Sequence, residues 1–190
     1  MDLRIYTRTG DTGETSLIGG RRVGKHDPRI SVCGDLDELS ASMGAALAEL
    51  PEGHDLRDEV DRVQEDLFGI GAEVAAPGAE AGRMLRDERV AALEASIDAM
   101  ESGLEKLTGF LLPGGGKAGA ALHVSRTVCR RAERSLVGLS SGDDGGVRPA
   151  ILGYMNRLSD WLFVAARRVN REEGSPERTG SSGNPDGGPG

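Results

Sequence analysis

Aromatic residues are scarce in this chain, with one Trp, two Tyr and three Phe among 190 residues. The core must therefore be filled by Leu, Val, Ile, Met and Ala, which favours helix packed on helix over a sandwich of aromatic-rich strands. Lysine is nearly absent too, limited to Lys25, Lys106 and Lys117. The formal net charge is -8. A surface that tracks nucleic-acid phosphates needs the opposite sign, so general nucleic-acid binding is argued against. The only cysteines, Cys33 and Cys129, lie in apolar-periodic stretches with no CxxC partner and no histidine near them. A zinc site is not expected, and both read as buried thiols of a reducing compartment. No apolar run approaches membrane-spanning length. The N-terminal MDLRIYTRTGD has no apolar segment of the secretory kind. These absences predict a cytoplasmic protein that engages neither membrane nor nucleic acid.

What is present is helical periodicity. Five segments carry apolar residues at spacings of three and four: Val32 to Leu50, Leu56 to Val74, Val90 to Leu104, Leu122 to Leu139, and Ile151 to Val169. Each is long enough to predict a helix, and no stretch of strict alternation predicts a strand. Pro51-Glu52-Gly53, Pro77-Gly78, the Leu112-Pro113-Gly114-Gly115-Gly116 run and the glycine-rich Ser140 to Val147 linker separate them. The expected fold is an all-α, antiparallel five-helix bundle with little or no sheet. It forms a single domain over residues 1–173, with a loop at 5–25 leading in. Ser125 and Ala132 leave room on the fourth helix for another helix to approach, possible as a subunit contact. Residues 174–190 are Gly, Ser and Pro with little to bury, so an unstructured tail is expected.

Two features point to chemistry. Arg126, Arg130 and Arg134 recur every four residues within LHVSRTVCRRAER. On a helix, each such step turns only about 40° beyond a full turn, so the three guanidinium groups share one flank. The stretch is nearly all positive in an acidic protein, with Glu133 its one local partner. It suits a polyphosphate or a subunit salt bridge, against the plainer reading of a solvated face. The second feature is TRTGDTGETSLIGG, where Thr7, Arg8, Thr9, Gly10, Thr15 and Ser16 offer amides and hydroxyls, and Lys25 follows. Glycines let main chain approach an anion, but the loop is neither a Walker nor a Rossmann motif and reads equally as a turn. Asn156 borders the apolar stripe of the fifth helix, either in a buried network or on a ligand. Phe110 precedes a glycine turn, either as core or as a wall against a flat ligand. Asp35, Asp37 and Glu38 are candidate partners for the arginines. His26, His54 and His123 are scattered without triad or ligand spacing, and no motif suggests covalent catalysis.

In order, the strings TRTGDTGETSL, VGKHDPRI, GDLDEL, FLLPGGGKAGAALHVSRTVCRRAER and YMNRLSDWLFVAAR resemble the ATP:corrinoid adenosyltransferases of the propanediol-utilisation type. The resemblance runs from Ile5 to Arg171. It implies a homotrimer with active sites between neighbouring subunits. There the 5′-deoxyadenosyl group of ATP passes to the cobalt of cob(I)alamin and triphosphate leaves, with Mg²⁺ accompanying the ATP. It places Thr7, Arg8, Thr9, Gly10, Thr15, Ser16 and Lys25 around ATP from one subunit. Arg130, Arg131, Glu133, Arg134 and Asn156 come from the neighbour. It makes Arg126 an intersubunit salt-bridge residue that supports catalysis, with Asp37 its expected partner ahead of Asp35. It sets Phe110 beneath the corrin, keeping the lower axial base off the cobalt. Arg126, Phe110, Asp37 and Arg130 form the implied catalytic set. A corrinoid reductase and an adenosylcobalamin-dependent enzyme are the implied partners. The rival reading of the same fold is a non-catalytic cobalamin carrier. The GGGK turn departs from the hydroxyl residue that many members carry after two glycines.

Overall fold

The structure, a computed structural model, describes residues 5–6, 8–76, 82–141 and 146–180. Five helices form where the periodicity places them. Helix α1, Pro28–Glu49, starts where Asp27 accepts a hydrogen bond from the Arg29 N–H at 2.9 Å and Pro28 stands at the first turn. Both are standard helix-start devices, since proline lacks only an N–H that would be orphaned there anyway. Helix α2, Leu56–Ala75, carries Asp58 and Glu59 in its first turn, where the helix dipole favours negative charge. Helix α3 is Glu88–Glu101. It stops short of Leu104 because Ser102 and Gly103 tighten the chain, with Gly103 N–H on the Met100 carbonyl and Leu104 N–H on the Glu101 carbonyl. Helices α4, Lys117–Ser140, and α5, Pro149–Glu172, complete the bundle. Helix α4 packs against both α1 and α5, α2 lies on α1, and α3 lies on α5.

Leu39, Met43, Ile70, Leu93, Leu122, Leu136, Met155 and Leu162 are fully enclosed in the core. Two of the few aromatics join them with their polar ends satisfied. Trp161 Nε1 donates to Ser96 Oγ at 2.9 Å, and Tyr154 OH donates to Asp66 Oδ2 at 2.8 Å. Cys129 is buried and Cys33 half-buried, both as free thiols. Ser125 and Ala132 are fully buried inside the chain. The close approach they permit is therefore to helices of the same subunit, which corrects the thought of a subunit contact there.

Two short antiparallel ladders were not expected. Strands β1, Glu14–Ser16, and β2, Arg22–Gly24, form a hairpin with Thr15 opposite Val23. Strands β3, Leu111–Leu112, and β4, Arg178–Thr179, pair across the end of the bundle. The second ladder corrects the expectation of an unstructured tail from Gly174, because 174–180 folds back onto the chain. Residues 181–190 of that tail, the centre of the Ser140–Val147 linker, and Thr7 lie outside the described residues. No helix among the described residues is long and apolar enough to cross a membrane.

Candidate functional site

The arginine stripe divides by helical phase. Arg130 and Arg134 are exposed on α4, and Arg134 Nη1 donates to the Arg130 carbonyl at 2.9 Å. Arg126 is half-buried, and its Nε has no hydrogen-bond partner among the described residues. Burial, with the neighbouring charge of Arg130, makes the Arg126 cation harder to hold. A desolvated guanidinium without an acid is costly on its own, and it is suited to meet a negative group brought from elsewhere. Arg131 lies one residue beyond Arg130, turned from it by about 100°. It faces α1 instead, with Nε 3.3 Å from Asp35 Oδ1 and Nη2 on Glu38. Ser135 Oγ also donates to Asp35 at 2.6 Å. Within the chain, then, Arg131 ties α4 to α1, and Asp35 is fully engaged. Asn156 Nδ2 donates to Glu133 Oε1 at 3.1 Å, so these two predicted residues meet across α4 and α5.

Asp37 stands exposed on α1, at the rim of a 290 Å³ apolar groove formed with Ile18, Leu36, Leu67 and Phe68. Arg126 lines a different cavity, so the two do not share a site within one chain. Phe68 is 79% exposed beside this groove.

The N-terminal loop is held as a built structure. Gly13 N–H bonds to the Gly10 carbonyl at 3.2 Å, and Lys25 N–H to the Gly13 carbonyl at 2.8 Å. Arg8 has φ 61, a left-handed conformation rare outside glycine. A Cβ on Gly10 would stand 3.3 Å from Lys25 Nζ, so the ammonium lies directly against that glycine. Arg22, which sequence reasoning passed over, binds the loop at three points. Its Nη2 donates to the Thr9 carbonyl at 2.9 Å and to Glu14 at 3.3 Å, and its Nη1 reaches Ser16 Oγ at 3.4 Å. Arg8, Thr9, Gly10, Thr15, Ser16 and Lys25 thus sit on one hairpin frame. Buried Leu17 and the Ile18 N–H on the Ala75 carbonyl, 2.9 Å, fasten that frame to the end of α2. The loop is fastened to the end of α2, and α2 lies on α1, whereas the stripe is carried by α4.

Phe110 and Arg126 do come together. They line a mainly apolar cavity of about 520 Å³ with Leu107, Pro113, His123 and Phe163, a volume typical of small-molecule sites. Phe110 is 91% exposed, an aromatic ring with no core to fill. Its backbone is fixed: the Gly180 N–H bonds to the Phe110 carbonyl at 2.8 Å, beside the β3–β4 ladder. His123 is 3% exposed, and its Nε2 lies 3.2 Å from Glu177 Oε1. Burial pushes the His123 pKa down, Glu177 opposes this, and Arg126 adds to the fall. No sequence signal paired these residues, because 54 positions separate them.

A larger cleft of about 680 Å³ lies between α2, α3 and α5. Its charges answer one another, with Arg168 on Asp55 at 2.8 Å and on Glu172 at 2.7 Å. It lies away from the candidate site. Cys129 is no nucleophile, since burial pushes its thiol to about 12. Among the described residues no group of three or more His, Cys, Asp or Glu is arranged to hold a metal. Among the described residues the arrangement offers unpaired cations for an anion and an apolar cavity with a standing aromatic, rather than a covalent catalytic dyad.

Comparison with known proteins gives one consistent result. The cobalamin adenosyltransferase family profile matches residues 5–169. A corrinoid adenosyltransferase of Bacillus subtilis is 41% identical over 175 residues, covering 90% of this chain and 89% of that protein. A corrinoid adenosyltransferase of Bos taurus is 38% identical over 188 residues, covering 92% and 75%. Among solved structures, a variant PduO-type ATP:corrinoid adenosyltransferase from Lactobacillus reuteri, complexed with cobalamin and ATP, superposes with a TM-score of 0.88. It is 33% identical and covers 94% of this chain and 99% of its own.

Proposed function

The chain belongs to the cobalamin adenosyltransferase family, and from that premise we infer that it transfers the 5′-deoxyadenosyl group of ATP to the cobalt of a cob(I) corrinoid. In this reaction a cobalt–carbon bond forms at C5′ as the C5′–oxygen bond breaks. The electron pair of the broken bond leaves with triphosphate. The cobalt is the nucleophile, so the protein needs no activated Ser, Cys or His. Its work is positioning, charge neutralisation on the leaving group, and control of the cobalt's axial ligands.

The observation that carries the reading is the cavity in which an exposed Phe110 meets an unpaired, half-buried Arg126. An aromatic there disfavours a lower axial base on the cobalt. Arg130 and Arg134 supply positive charge along the same helix for the triphosphate, and Asn156 with Glu133 forms a polar rim beside them. The hairpin bearing Thr9, Gly10 and Lys25 is the second half of the nucleotide site. Because that hairpin is fastened to α2 while the stripe is carried by α4, a site between neighbouring subunits of a homotrimer accounts for both. The same arrangement seats Arg126 of one subunit on Asp37 of the next, since Asp35 is already taken. Magnesium enters on the ATP phosphates as part of the substrate.

The test is anaerobic incubation with ATP, magnesium and chemically reduced cobalamin, following the cob(I) absorbance. Conversion to adenosylcobalamin that requires both ATP and protein is the expected result. Binding of ATP and cobalamin without conversion would replace the enzyme with the carrier.

A further inference from the structure

The turn joining Phe110 to the arginine helix is held from within by a side chain of α5. Asn170 is fully buried. Its Nδ2 donates to the Gly114 carbonyl at 2.9 Å, and its Oδ1 accepts from the Gly116 N–H at 2.9 Å. Between these two anchor points, Gly115 takes φ 97, which only glycine adopts readily. A Cβ at Gly115 or at Gly119 would collide with the Asn170 amide. The glycines therefore form the cleft that this amide fills. The turn presents one acceptor and one donor. A carboxamide answers both, a carboxylate only the donor, and an alkyl group neither.

Phe110 lies just before this turn, and Arg126 lies on the helix that begins at its end. Both reach the same cavity. The nucleotide hairpin is fastened to α2 and has no part in the turn.

We propose that Asn170 is a positioning residue for the corrinoid half of the site, fixing the Gly114–Gly116 turn and through it the placement of Phe110 against Arg126. This rests on the adenosyltransferase reading. Its signature is selective: the corrinoid step suffers while ATP binding does not.

The experiment compares wild type with Asn170→Ala and Gly119→Ala, the latter driving a methyl into the amide. Steady-state kinetics vary ATP and cob(I)alamin separately. Electron paramagnetic resonance of cob(II)alamin with ATP present reads the fraction of cobalt without a lower nitrogen ligand. Misplacement on the ångström scale predicts a loss on the order of 10²-fold in kcat/KM for the corrinoid. The KM for ATP should stay within about twofold. The four-coordinate fraction should fall in both variants, and the double variant should be no worse than Asn170→Ala alone. If Asn170→Ala does not fold, Asn170→Asp keeps volume and acceptor and is read in the same way. A wild-type four-coordinate fraction and corrinoid KM in the folded variant would overturn the proposal. So would equal losses toward both substrates. If wild type itself makes no adenosylcobalamin, the functional reading fails, not the assignment of Asn170 within it.

Discussion

Arg126 and Asp37 offer a sharp test, because among the described residues neither has an oppositely charged partner within the chain. Arg126 carries a buried Nε without a partner among the described residues, and Asp37 sits exposed beside an apolar groove and the exposed Phe68. If the two meet between subunits, Arg126→Met strands a carboxylate at the interface, and Asp37→Asn strands a guanidinium. Each single change costs stability, and the double change removes both stranded charges. The coupling energy across such a cycle is expected at about 0.5–3 kcal/mol. For a chain of this size each kcal/mol moves Tm by roughly 2–4 °C. The double variant should therefore melt measurably above the sum of the single losses. Activity should behave differently: all three variants fall on the order of 10²-fold, since restoring interface neutrality does not restore an oriented cation at the site. The assay is differential scanning fluorimetry alongside size-exclusion chromatography with light scattering and the cob(I) conversion rate. Stability losses that simply add, with an unchanged oligomer, would refute the pairing. A rise in Tm for Arg126→Met alone would show that the guanidinium is never paired and only carries a desolvation cost.

Arg22→Leu should raise the KM for ATP while leaving that for the corrinoid unchanged, because it frees Thr9, Glu14 and Ser16 from one tether; separate substrate titrations check this. Phe110→Ala should leave Tm near wild type, since the ring is 91% exposed. Its rate on cobalamin should fall far more than its rate on a corrinoid lacking the lower base. His123 gives a pH dependence. Its folded pKa lies below the ordinary value near 6.5, chiefly through burial. The stability this contributes is full above that unfolded value and is lost as pH falls toward the folded one. Wild type should therefore lose more Tm between pH 7.5 and 5.5 than His123→Gln, and equal slopes would count against the lowering of its pKa by burial.

The helices were legible because an apolar stripe at helical spacing is a local property, and their breaks are written in Pro and Gly. The RTVCRRAER and NRLSD strings carried the family resemblance, and with it the expectations placed on Arg126, Phe110 and the N-terminal loop. Two things were not legible, each for a reason of distance. The tail looked unstructured from composition, yet two residues of β4 pair with β3 far upstream, and a two-residue ladder leaves no periodic trace. The glycine run before α4 looked like an ordinary turn, until Asn170 from another helix gave Gly115, and Gly119 just beyond the run, a steric reason.

The sequence by itself determined which segments are helical, where positive charge concentrates in an acidic chain, and what family the chain resembles. Tertiary structure alone decided how those charges are shared. One residue beyond the four-residue stripe of Arg126 and Arg130, helical phase sends Arg131 to the acids of α1, while Arg126 stays half-buried without one among the described residues. Spacing along one helix names the flank a side chain occupies, but what that flank faces depends on elements packed there from elsewhere in the chain. A sequence pattern therefore gives the face, and only packing supplies its partner.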